Sequence, residues 1–433
     1  MTNQEKQGLQ SVTIMPSISN AVIHQLPNGL TLAMERLPYL HSASMGIWIK
    51  TGSALEQPHE AGLAHFLEHL FFKGTTTRNV HDIMATIESR GGQMNAFTSR
   101  EYTCLYVRIL DEHINTGIEI LADILKNSQF FDLEKERNVI LEEIASIEDT
   151  PDEYVFDLLS QHHWPDHALG RPVSGFAASV AALNMDDVKR FYQTWYKPGN
   201  MYFSIAGNFD EDKVLEQLTR ELGDIPSGDV PPEYEPPDFS GGIHLEDRDI
   251  GQDHLCLAFP GPNIASNDRY AYNLLINVLG GGSTSRLFEK IREEAGLAYA
   301  IYAFDAFYKK TGVMGVYAAV APQNAQRTVD MIFEELRNIR DEVLPIEEVN
   351  MSREQIKGHM LMAMESTFTR MNRLAKSLIY HDRLVPVEEL IESLDAVSPE
   401  DIQASAQRYF LPQYCTMTIL GPKAPCEGIQ ITL

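Results

Sequence analysis

Two histidines four residues apart, with a glutamate just before the second, stand out as candidates for chemistry: His65-x-x-Glu68-His69. On a helix, positions four apart lie one turn above each other, so both imidazoles can reach one ion. Glu68 falls on the neighbouring line, where it can address a water beside that ion without being a ligand. A catalytic zinc site takes three protein ligands, and a carboxylate would complete a His2Glu set. The stretch EKERNVILEEIASIE (134–148) supplies candidates. Val139, Ile140, Ile144 and Ile147 define an apolar stripe that includes Glu136 and Glu143 but not Glu142 or Glu148. A carboxylate on a buried face needs a metal, a cation or hydrogen bonds, so helix phase prefers Glu143 to its neighbour. The plainer readings are a solvated helix face carrying two histidines, and a charged crevice that holds no metal.

The histidines require a helix, and PHEAGLAHFLEHLFFKG (58–74) reads as one. Leu63, Phe66, Leu67, Leu70 and Phe71 recur at helical spacing, with the histidines and Glu68 on the opposite arc. Pro58 suits a first turn and Gly74 a C-terminal cap. A second cluster, His162, His163 and His167, lies in a turn-rich stretch and reads as structural.

At 433 residues the chain calls for more than one core. Five prolines and three glycines between Pro226 and Gly242 mark a linker. The reading is domains at 1–228 and 243–433, with 229–242 between them. Residues 182–207 and 396–421 form an internal repeat: Ala182, Asp187, Gln193, Pro198, Ile205 and Gly207 meet identical residues 214 positions on. Each copy suggests a capped helix, a Pro-marked turn and a strand ending in glycine. Strands such as Thr31–Glu35 and Ala43–Lys50 mix with long helices without β-α-β alternation. The expected fold is therefore α+β, two homologous domains, each an antiparallel sheet packed with helices.

A formal charge of −26 disfavours nucleic acid and anionic membranes and would attract basic peptides. A solvated acidic surface kept for solubility fits the charge equally well. Cys104, Cys256, Cys415 and Cys426 are too scattered for a zinc module or a disulfide framework. No apolar run approaches the roughly 20 residues of a membrane span. Met1 to Lys6 shows no signal-peptide or transit-peptide pattern, and the expected location is cytoplasmic.

HFLEH (65–69) followed by ERNVILEE (136–143) resembles the pitrilysin/insulinase group of inverted-motif zinc peptidases, in its processing-peptidase-like branch. LPNGL (26–30), GGQMNAFTSREYT (91–103), ALGRPVSG (168–175) and GGGSTSRLFEKIREEAGLAYA (280–300) extend the resemblance over nearly the whole chain. It implies one zinc per chain on His65, His69 and Glu143, with Glu136 orienting a histidine. It implies that Asn95, Ala96 and Phe97 bind substrate as an added strand. It further implies that Arg292 and Tyr299 hold the substrate carbonyl and steady the oxyanion. The reaction would be peptide-bond hydrolysis with Glu68 as base, on unfolded or short peptides inside a two-chain clamshell. A homodimer is expected; a heterodimer with an inactive relative stays open. Asn350 and Lys357 stand 214 residues beyond Glu136 and Glu143, so the second half should carry no zinc. The rival readings are a catalytically silent or partner-dependent subunit, and a metallohydrolase acting on something other than peptides.

Overall fold

The computed structural model describes residues 21–422, 426 and 428–433; the expectation drawn from Met1 to Lys6 lies outside them. Strands β1 (Ala21–Gln25), β2 (Thr31–Arg36), β3 (Ser42–Ile49), β4 (Gln93–Thr98), β5 (Thr103–Leu110) and β6 (Met201–Gly207) form one sheet. Its spatial order is β1-β2-β6-β3-β5-β4. The second sheet holds β7 (Gly242–Asp247), β8 (Asp253–Gly261), β9 (Ala298–Phe307), β10 (Gly312–Val320) and β11 (Thr416–Gly421), in the order β7-β11-β8-β10-β9. Helices pack on both sheets, giving the expected α+β architecture. One pair in each sheet is parallel rather than antiparallel: β2 with β6, and β7 with β11. Parallel neighbours need a long crossover connection, and the last strand of each half returns over such a distance, β6 to lie beside β2 and β11 beside β7.

The repeat holds at the helix and turn boundaries, and the two strands end on matching glycines, Gly207 and Gly421. Helices Met185–Trp195 and Pro399–Tyr409 are each closed by a capping box, Asn184 with Asp187 and Ser398 with Asp401. Short turns Pro198–Asn200 and Pro412–Tyr414 follow, then β6 and β11.

The sheet faces are covered by exchange. On β3, Met45, Ile47 and Ile49 enter the first half's own core, while Trp48 points to the other face. There it meets Met371, Ala375 and Ile379 of helix Thr367–His381, which belongs to the second half. Reciprocally, helix Pro151–His163 sends Val155, Leu158 and Leu159 against Cys256, Ala258 and Leu420 of the second sheet. Each fully buried large apolar side chain adds about 1.5–3 kcal/mol, so these two contacts tie the halves together. The His162–His163 cluster belongs to this clasp. His163 Nδ1 lies 2.7 Å from Thr416 Oγ1 and His162 Nδ1 lies 2.9 Å from Thr418 Oγ1. Residues 226–241 have no regular structure, yet they are pinned to both halves. Glu233 accepts from Lys50 at 2.8 Å and from Lys309 at 2.6 Å, and Tyr234 donates to Glu101.

Candidate metal centre

The histidine helix is shorter than its apolar pattern suggests, spanning Leu63–Phe71. A 3-10 turn, Pro58–Glu60, precedes it, and Gly62 breaks the two apart with φ +92. Only glycine fits there: an added Cβ would lie 2.5 Å from the Ser174 carbonyl oxygen. Gly62 cannot cap the helix with a side chain, and Glu56 does it instead. Its buried carboxylate accepts from the Gly62 N–H at 2.9 Å and the Ala64 N–H at 2.7 Å. Leu63, Phe66, Leu67, Leu70 and Phe71 are buried, as their spacing predicts. Gly74 lies beyond the helix, whose cap is Phe72.

The glutamate helix runs Leu133–Glu148 and packs against the histidine helix. Its buried face is Glu136, Arg137, Ile140 and Ile144. Val139, expected in the stripe, is 45% exposed. The face is turned toward Arg137, whose guanidinium donates to the Val180 and Ala181 carbonyls at 2.6 and 3.0 Å.

These two helices bring His65, His69 and Glu143 together, with one ligand atom from each inside a 4.8 Å span. His65 Nε2 lies 3.6 Å from Glu143 Oε1, and His69 Nε2 lies 3.7 Å from Glu143 Oε2. Tetrahedral zinc with bonds of about 2.1 Å separates its ligand atoms by roughly 3.4 Å, so the donor set fits that ion with little movement. Two imidazoles and one carboxylate also suit zinc better than calcium or magnesium. Burial, with His69 beside it, pushes His65 down to about 4, leaving the neutral imidazole that a metal requires. On the far side of His69, Nδ1 lies 3.4 Å from Glu136 Oε2, and Lys73 holds the other oxygen of Glu136 at 2.8 Å.

Glu68 sits beside the cluster. Thr98 of β4 donates to its Oε2 at 2.5 Å. Burial pushes the Glu68 carboxyl up, and the Thr98 hydrogen bond opposes that shift. Asn95, Ala96 and Phe97 lie on the same strand, at the edge of the first sheet. Asn95 is exposed, Ala96 is buried, and Phe97 packs 5.7 Å from Trp48.

Arg292 and Tyr299 form a separate pair on the second sheet. The π-helix Phe288–Glu294 presents Arg292, the chain turns at Gly296, and β9 carries Tyr299. The guanidinium lies 4.7 Å over the Phe288 ring and 5.8 Å over that of Tyr299, which is 77% exposed. Among the described residues, no hydrogen bond, ion pair or ring contact links this pair to His65, Glu68, His69 or Glu143.

Lys73, Thr98 and Glu56 escaped the sequence reading. Lys73 carried a signal, standing four residues after His69 on the same helical line. Thr98 and Glu56 are joined to the site by tertiary contacts that spacing does not encode.

In the second half, Lys357 replaces Glu143 at the repeat position and binds Glu354 and Asp395 at 2.6 and 3.1 Å.

Comparison with known proteins identifies the family. The description "Insulinase (Peptidase family M16)" matches residues 31–176, and "Peptidase M16 inactive domain" matches 182–356. A Bacillus subtilis protein named "Uncharacterized zinc protease YmxG" is 35% identical over 91% of this chain and 97% of its own length. An uncharacterized zinc protease of Streptomyces coelicolor is 36% identical over 92% of this chain and 88% of its own. Among solved structures, a protease from Helicobacter pylori superimposes with a TM-score of 0.89 at 20% identity, covering 93% of this chain and all of that one. A chain of Complex III2 from Candida albicans gives 0.84 at 18% identity, covering 94% and 97%. The likeness to the solved structures establishes the fold; the extended sequence identity establishes the kinship: this chain belongs to the insulinase family of zinc peptidases, peptidase family M16.

Proposed function

We propose that the chain is a zinc-dependent endopeptidase acting on short or unfolded peptides. The observation that carries this is the convergence of His65, His69 and Glu143 beside the half-buried carboxylate of Glu68. His65, His69 and Glu143 would hold one zinc ion, and Glu136, braced by Lys73, would fix the His69 ring. Bound zinc supplies Lewis-acid polarisation of water and of a carbonyl. Glu68, oriented by Thr98, takes a proton from the attacking water and returns it to the leaving amine. The β4 edge offers its backbone to an extended peptide, with Asn95, Ala96 and Phe97 along it. Only a segment free of its own tertiary structure can pair in that way.

Arg292 and Tyr299 donate to the carbonyl oxygen as its negative charge develops. Their separation from the histidine cluster supports their supply by a partner subunit in a clamshell dimer. The same separation favours the second reading, a subunit active only in a mixed complex. The acidic balance of −26 favours basic peptides.

The test is cleavage of a quenched fluorescent peptide library by the wild type and by Glu68→Gln, with bound zinc quantified in both. The expected result is that the variant keeps its zinc and loses about 10²–10⁴ in rate. A variant as active as the wild type would remove Glu68 from the reaction, and absence of zinc from the wild type would overturn the reading. Zinc without cleavage, reversed by adding a related subunit, would favour the mixed complex.

A further inference from the structure

A cavity of about 450 Å³ lies beside helix Thr367–His381, and none of the residues assigned to chemistry lines it. Its walls include Ile264, Phe307, Ile356, Met360, Leu390 and Leu394. Four basic side chains also reach it, Arg269, Arg373, Lys376 and His381, and no aspartate or glutamate lines it. In a chain with 61 acidic residues against 35 basic ones, that selection of charge is unusual.

The four are not equivalent. Arg373 is already balanced, 3.7 Å from the buried Glu35 and donating to the Val385 carbonyl at 2.6 Å. Burial and the Arg269 guanidinium hold His381 below its usual range, so it adds no charge near neutrality. Arg269 donates to the Tyr270 hydroxyl at 2.7 Å and to the Ile264 carbonyl, and lies 4.7 Å over the Tyr270 ring. Lys376 lies 5.5 Å over the Tyr102 ring. Among the described residues, neither Arg269 nor Lys376 forms an ion pair. A cation beside an apolar cavity attracts an anion more strongly than it would in water. Guanidinium in particular matches a carboxylate. The volume falls in the range of ligand sites, roughly 300–1,000 Å³.

We propose that this cavity binds an amphiphilic carboxylate, its apolar part among Ile356, Met360, Leu390 and Leu394 and its head group between Arg269 and Lys376. A medium-chain fatty acid and the apolar C-terminal residue of a peptide share this chemistry.

Calorimetric titration of the full-length chain tests it. The probes are decanoate, decanol and decyltrimethylammonium, with a leucine-ended peptide as free acid and as amide. Decanoate is expected to bind and the cationic amphiphile not to. The double variant Arg269→Ala, Lys376→Ala should weaken decanoate by at least about tenfold, and Ile356→Trp should block it by filling the cavity. Thermal melting confirms that each variant is folded; should the double variant fail to fold, Ile356→Trp and the head-group series decide. Competition by the free-acid peptide but not the amide assigns the site to peptide ends. Decanoate binding without such competition assigns it to fatty acids. Absence of decanoate binding, or equal binding of the cationic amphiphile or by the double variant, would overturn the proposal.

Discussion

Glu136 and Glu143 are seven residues apart on one helix, and the fold gives them different surroundings. Glu143 is 42% exposed and faces both Nε2 atoms, while Glu136 is 3% exposed and lies between His69 and Lys73. A buried carboxylate at the back of an imidazole fixes the ring and its tautomer. Glu136→Gln should therefore lower zinc affinity by roughly 10–100-fold with the fold intact; competition against a chromophoric chelator measures it, and unchanged affinity would reduce Glu136 to a packing role. The convergence of these side chains was legible in the sequence because a helix places residues four and seven apart on one side. That rule aligned His65 with His69 and preferred Glu143 to Glu142, although Glu143 is 42% exposed rather than buried as its stripe suggested. It could not supply Thr98, which reaches Glu68 only because β4 passes beneath the histidine helix.

At the scale of elements, the start of the histidine helix is set from outside it. Glu56 replaces a conventional cap, and loss of a cap costs about 0.5–2 kcal/mol. Glu56→Ala should therefore destabilise the chain by that amount in urea titration and weaken zinc binding, since the first turn leads directly into His65. A stability loss with unaltered zinc affinity would show that the helix is held by its packing alone. The apolar repeat located this helix but overran both ends, because periodicity does not register a backbone break such as Gly62. The same limit explains Val139: a polar anchor, Arg137, turned the helix away from its most hydrophobic face. The duplicated helix-turn-strand units were the most legible elements, since capping boxes and prolines are local signals.

For the whole molecule, the exchange of helices between the two sheets decides how the chain behaves, and nothing in the sequence pattern announced it. Separated near residue 226, each half would expose the sheet face that the other covers, Trp48 in one and Cys256, Ala258 and Leu420 in the other. Neither half should then fold alone, whereas mixing them should restore cooperative melting; independent folding of both would refute the interdependence. The clasp also responds to acid. Burial pushes His163 down to about 3, whereas an unfolded histidine titrates near 6.5. Between those values the unfolded chain binds a proton that the folded chain excludes, so stability falls as pH drops through the window. Melting midpoints from pH 7.5 to 5 should decline, and less steeply in His163→Gln; parallel declines would assign the effect elsewhere. The β4 edge carries a wider consequence. An edge strand templates any extended chain, including partly unfolded copies of this one. At a charge of −26, such copies repel one another while cationic segments are drawn in, so the acidic surface works as a colloidal guard over the edge. Salt screens that guard within about 10 Å at 0.1 M. Light scattering on gently warmed protein should therefore show self-association rising with ionic strength, the price of leaving one edge of a strand open.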